Sequence, residues 1–140
     1  MSVFTKIIDG EIPGTFVWSD DTCVAFATIE PHADGHVLVV PRREVDKFTD
    51  LDEATGAHLF RVAQIIGRAQ EAAFDIGRAG LVIAGFGVPH VHLHVIPMND
   101  ESVLSFDSAR KNEPAEKIEV AMAAVRAALI DAGYADNVPD

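Results

Sequence analysis

His90-Val91-His92-Leu93-His94-Val95-Ile96-Pro97 places a histidine at every second position, with an apolar residue between each pair. On an extended strand successive side chains point to opposite faces. One face of this segment therefore carries three imidazoles, and the other carries Val91, Leu93 and Val95 toward a core. Half of the chain's six histidines stand here. Core packing gives no reason for that, because each ring brings two nitrogens that need partners. Three uses are open. The rings could be structural or surface groups on an edge strand. They could bind zinc, since histidines two apart on a strand converge on such an ion, with His36 as a further ligand. Or His92 could be a neutral nucleophile toward phosphorus. One of its nitrogens would then attack while the other donates to a backbone carbonyl that fixes the tautomer. In that design His90 and His94 orient the middle ring and contact phosphate oxygens, and nearby backbone N–H groups hold the developing charge.

Outward from this segment the pattern gives an α+β domain. Gly80 to Ala84 reads as a strand, joined to the histidine strand His90 to Ile96 by Gly85-Phe86-Gly87 and closed by Pro97. Between Asp52 and Phe74 the period lengthens. Leu59, Val62, Ile66, Ala69 and Ala73 recur at three- and four-residue steps, an amphipathic helix with Thr49, Asp50 or Asp52 as its N-cap. His36 to Val40 is a strand that Pro41 ends, after a loop from Pro31 to Gly35. Phe16-Val17-Trp18 and Thr22 to Thr28 form a hairpin across Ser19-Asp20-Asp21, and residues 3–9 form a short helix stopped at Gly10. After a polar loop at 98–113, a last helix fits Pro114 to Ala132, with Gly133 as its stop and Ile118, Met122, Val125 and Leu129 on one stripe. Short turns join the strands, without regular βαβ alternation. The expected fold is a mostly antiparallel sheet with one long helix and a C-terminal helix. No repeat or linker divides residues 1–140, so a single domain is expected.

Composition narrows the function. Apolar residues make up 49% of the chain and charged residues 24%, with a net charge of −11. Nucleic-acid backbones bind to clustered Lys and Arg, so neither DNA nor RNA is an expected partner. No run approaches the roughly 20 apolar residues that span a bilayer, and no secretion signal is evident. With a single cysteine, Cys23, these features lead to an expected cytoplasmic location. A small phosphorylated substrate remains compatible with an acidic protein, because local donors can hold a phosphate. Among the smaller signals, Cys23 reads as buried and inert and His58 as a surface residue on the long helix. Trp18 is a core or dimer-contact residue, Arg42-Arg43 a solvated basic turn, and His32 a loop residue of undecided role.

Residues 90–96 match, at every position, the His-φ-His-φ-His-φ-φ pattern of the histidine-triad (HIT) family, where φ is apolar. Phe4 to Pro13, Ser19 to Phe26, and Pro31 through Gly35-His36 to Pro41 resemble the N-terminal half of its Hint-type branch. The resemblance covers about residues 3–97 in order; the tail from 98 to 140 adds no motif. It implies an α+β homodimer that hydrolyses or transfers nucleotidyl groups. His92 takes the nucleophile's place, with His90, His94 and His36 as supporting imidazoles. Val3, Phe4, Ile7, Phe26, Ile29 and Leu38 would line a purine pocket, each being equally suited to plain core duty. Where the family has a ribose-binding Asp this chain has Thr28, and Gly87 stands where the family has a hydroxyl. Phosphate contacts at that turn would then fall to the main-chain N–H groups of Gly87 and Val88, since Pro89 has none. The implied substrate is a purine nucleoside phosphoramidate or related nucleotidyl ester, with no metal required. A nucleotide-binding module without turnover, and a zinc protein using the same imidazoles, are the alternatives.

Overall fold

The computed structural model describes residues 1–139. Helix α1 spans Val3–Ile8, where Ser2 caps the start by accepting from the Thr5 N–H at 3.0 Å. Strands β1 (Phe16–Ser19) and β2 (Cys23–Ala27) form the expected hairpin. Its turn is fixed by Asp20, whose Oδ1 accepts from the Thr22 and Cys23 N–H groups at 2.8 Å each. Strand β3 (Val37–Pro41) follows, then α2 (Glu53–Ala73), capped by Asp52 on the Thr55 N–H. Strands β4 (Arg78–Val82) and β5 (Leu93–Met98) complete one five-stranded antiparallel sheet in the order β1-β2-β3-β5-β4. Helix α3 covers Ala115–Asp131. Gly133 (φ +99°) ends it, with the Gly133 and Tyr134 N–H groups bonded back to the Ile130 and Leu129 carbonyls.

The sheet separates two cores. On one face Val17, Cys23, Ala25, Val37, Val39, Val91, Leu93 and Val95 meet Leu59, Val62 and Ile66 of α2 and Met122, Val125 and Leu129 of α3. Each fully buried aliphatic side chain here contributes roughly 1.5–3 kcal/mol. On the other face Val24, Phe26, Leu38 and Val40 are covered by α1, through Phe4, Ile7 and Ile8, together with Phe16 and Val88.

Several strand boundaries differ from expectation, in β3, β4 and β5. Strand β3 starts at Val37 and takes in Pro41 as its last residue, so Pro41 lies within the strand and does not follow its end. The ladder of β5 begins at Leu93, not His90: the Val91 N–H bonds to the Val45 carbonyl (2.7 Å), a loop residue, and the His90 N–H closes a tight turn onto the Val88 carbonyl. Pro97 lies inside β5 and does not close it. It is tolerated because β3 pairs with β5 only between Val37 and Val39, leaving one side of Pro97 without a ladder partner. Strand β4 likewise begins and ends two residues earlier than the apolar run.

Candidate active site

Because β5 runs antiparallel beside β3, with Leu38 opposite His94, the two chain segments bring His36 and the triad to the α1 face of the sheet. His36, His90 and His92 are buried, at 2%, 0% and 7% exposure, and His94 is half-buried. Their hydrogen bonds settle each ring's tautomer. The Pro41 carbonyl must accept, so His90 donates from Nε2 (2.7 Å) and its Nδ1 accepts from the Ser2 hydroxyl (2.7 Å). His92 Nδ1 donates to the His90 carbonyl at 2.8 Å, leaving an unprotonated Nε2.

The second pair forms a relay. The backbone N–H of His32 donates to His36 Nδ1 at 3.1 Å, which forces the His36 proton onto Nε2. That proton is donated to His94 Nδ1 at 3.0 Å. His94 therefore carries its own proton on Nε2, ready to donate outward. The His92 and His94 rings lie 4.9 Å apart, centroid to centroid. One thus offers a lone pair and the other a proton. Burial, joined by the repulsion of neighbouring imidazoles, holds these rings neutral. It pushes His36 down to about 3 and His94 down to about 4, and it lowers His92 as well.

Three contacts that the sequence did not reveal hold this arrangement. Ser2 grips His90, while Glu44 accepts from the Ser2 N–H and the Thr5 hydroxyl and so docks α1. Phe4, carried by α1, meets His92 edge to face at 4.9 Å. From the opposite side Gln70 of α2, fully buried, donates its Nε2 to both the Gly35 (2.9 Å) and Val95 (2.8 Å) carbonyls. Those residues adjoin His36 and His94. No local pattern marks these partners, which lie 88, 42, 35 and 25 residues apart in the chain. Gly35 sits at φ +88°, and a Cβ there would come within 2.3 Å of the Phe74 ring, so glycine is required where the chain turns into His36.

The residues expected to line a base pocket divide in two. Phe4, Phe26 and Leu38 are buried (7%, 2% and 4%) in one apolar cluster, with Ile7 and Val88 packed against them. Val3 and Ile29 are exposed, at 42% and 80%. The Thr28 hydroxyl accepts locally from the Glu30 N–H (3.2 Å), and Gly87 lies exposed at the turn before the triad. Arg42 bonds to the Asp20 carbonyl and the Ser19 hydroxyl, in keeping with a basic turn. His32 sits beside His36 (ring centroids 5.6 Å apart) and bonds through Nδ1 to the Val103 carbonyl and Ser108. His58 is not a free surface group: its Nε2 bonds to Asp20 Oδ2 at 2.7 Å.

A metal finds little among the triad. Both nitrogens of His36 and His90 and one each of His92 and His94 are engaged, which leaves two ring nitrogens, His92 Nε2 and His94 Nε2, among these four rings. Among those residues no helix is long and apolar enough to cross a membrane.

The HIT domain family matches residues 9–101 of the 140. An uncharacterised HIT-like protein of Methanocaldococcus jannaschii is 33% identical over 117 residues, covering 79% of this chain and 90% of that protein. A zinc-bound histidine triad family protein from Mycobacterium smegmatis superposes with a TM-score of 0.81 at 29% identity, over 95% of this chain and 96% of that one. A hypothetical histidine triad nucleotide-binding protein from Sulfolobus tokodaii gives 0.80 at 25% identity, over 91% of each chain. Sequence pattern, sheet order and comparison agree: the chain belongs to the histidine-triad (HIT) family.

Proposed function

We propose that the protein hydrolyses a purine nucleoside phosphoramidate or a related nucleotidyl ester through a nucleotidyl-histidine on His92. The observation that carries this reading is the bond from His92 Nδ1 to the His90 carbonyl, which leaves Nε2 bare beside the outward-donating His94. With adenosine 5′-phosphoramidate, a bond forms between Nε2 and phosphorus as the P–N bond breaks, and the departing nitrogen takes a proton from solvent to leave as ammonia. His92 is then a phosphorylated imidazolium, whose charge the His90 carbonyl shares. Water attacks the phosphorus, the Nε2–P bond breaks, AMP departs, and the water's proton passes to solvent. His94 Nε2–H and the N–H groups of Gly87 and Val88 would donate to the phosphoryl oxygens, as preorganised donors that need no reorientation. The base would rest on Val3 and Ile29 above the Phe4–Phe26–Leu38 floor, and Thr28 would meet the ribose. No step calls for a metal. The nucleotide-binding description of the Sulfolobus tokodaii structure supports the substrate class.

Release of AMP from adenosine 5′-phosphoramidate by the purified chain, and its loss in His92→Ala, tests this reading. Full turnover by His92→Ala would refute it. A second reading, nucleotide binding without turnover, is favoured by the short Thr28 hydroxyl, already engaged with Glu30, and by the missing hydroxyl at Gly87. It requires AMP binding by calorimetry with no product from the native chain.

The expected homodimer has structural support in strand β4, a sheet edge that carries exposed Leu81 beside exposed Ile83 and Phe60 of α2. Light scattering should give twice the chain mass, and Leu81→Lys should reduce it to the monomer's.

A further inference from the structure

On the helix-covered face, at the turn of the β1–β2 hairpin, three donor atoms converge that the chemistry above does not use. Asp20, Cys23 and His58 each present one ligand atom, all within 4.8 Å of one another. Asp20 Oδ2 lies 2.7 Å from His58 Nε2 and 3.6 Å from Cys23 Sγ. We propose that these residues form a second site, separate from the histidine cluster, that binds one zinc-class divalent cation, with water as its fourth ligand.

The geometry is close to what such an ion needs. Zinc bonds of about 2.0–2.3 Å in a tetrahedron set ligand–ligand edges of roughly 3.3–3.7 Å. The S–O edge already has that length, and the O–N edge must open by roughly half an ångström. The three groups come from the hairpin turn, strand β2 and helix α2, so the frame is rigid. Asp20 is held further by the Trp18 indole at 2.8 Å and by two backbone N–H groups. An oriented carboxylate of this kind is what a ligand needs from the groups behind it.

The proton balance is simple. Without metal, the thiol and the imidazole both direct a hydrogen at Oδ2. A dication takes the place of both. The Cys23 proton leaves to solvent, and the His58 proton moves to Nδ1. Thiolate, carboxylate and dication then sum to zero charge. Burial first, and the Asp20 charge second, raise the Cys23 thiol, so it stays protonated until a metal draws it off. Burial alone would raise the Asp20 carboxyl, but its hydrogen bonds outweigh that and keep it ionised. An S, N and O donor set selects zinc-class ions over calcium or magnesium. Cys23 is fully buried, whereas the His58 and Asp20 side chains are 29% and 15% exposed, so ion and water enter from their side.

Cobalt(II) titration of the metal-free full chain tests the proposal, because cobalt reports a thiolate ligand and tetrahedral geometry in its absorption. The expected result is saturation at one ion per chain, with a thiolate charge-transfer band and strong visible bands. Both should vanish in Cys23→Ser and in His58→Gln, which keep hydrogen-bonding side chains. Both should persist in a His92→Ala/His94→Ala chain. Zinc should raise the Tm of the native chain and leave that of His58→Gln unchanged. Absence of the thiolate band, its survival in His58→Gln, or its loss with the triad substitutions would each overturn the proposal.

Discussion

The two faces of the sheet are built from the same strands by different physics. On the α2–α3 face, shape and apolar area do the work: Val37, Val39, Leu93 and Val95 meet helices whose buried stripes are apolar but for Gln70. On the α1 face a smaller apolar cluster borders four imidazoles, each fixed by hydrogen bonds of defined direction. The first face tolerates exchange of one aliphatic residue for another of similar volume, because burial is non-directional. The second tolerates little, because moving one proton reverses which nitrogen donates. Stability should therefore reside mainly in one face and chemistry in the other.

Substitutions can break that division or sharpen it. The largest effect is expected at His92: replacement by Ala should lower turnover of adenosine 5′-phosphoramidate by at least about a thousandfold. The Tm should change little, which thermal melts run beside the assay would show. Ile66→Ala, in the fully buried α2 stripe, should do the reverse. Urea unfolding should report a loss of about 3 kcal/mol, with kcat unchanged for the fraction that is folded. A fall in kcat on the order of the His92 effect would show that the faces are not separable.

Gln70→Leu probes a side chain that reaches from the helix face to the backbone of the site. It strands the Gly35 and Val95 carbonyls, which should cost about 2 kcal/mol in denaturant unfolding. Alone among helix-face substitutions it should also lower kcat, through the loosened His36–His94 pair.

The smallest effect is one of pH. An unfolded histidine titrates near 6.5, whereas His36 and His94 in the fold titrate at about 3 and about 4, chiefly because they are buried. Between those values the unfolded chain binds more protons, so stability falls as pH drops below about 6.5 and this contribution levels off only beneath the folded values. At about pH 5.5 each ring should cost on the order of 1 kcal/mol relative to neutrality. Unfolding curves at the two pH values would measure it, and His36→Phe should reduce the difference without abolishing it, since His94 and His92 remain.

Much of this was legible in the sequence. Alternation along 90–96 located the imidazoles and the core side of β5, and the three- and four-residue steps located α2. The strand's starting point was not legible, since Val91 bonds to loop residue Val45 and only the fold brings that carbonyl near. Pro97 misled because its placement depends on how far β3 extends. Gln70 reads as one more polar helix residue, and its role arises only where α2 crosses both strands. His58 reads as a surface group in the sequence because nothing nearby foretells Asp20, 38 residues away.

The relay from His32 to His94 begins at a main-chain amide, not at a side chain. Its polarity is thus written in the one part of position 32 that nearly every codon shares. Exchange of the His32 ring for another side chain leaves the donor in place, and with it the direction in which His94 offers its proton. Proline alone among the encoded residues lacks that N–H. At this position proline is therefore the single encoded residue that would erase the relay's first bond.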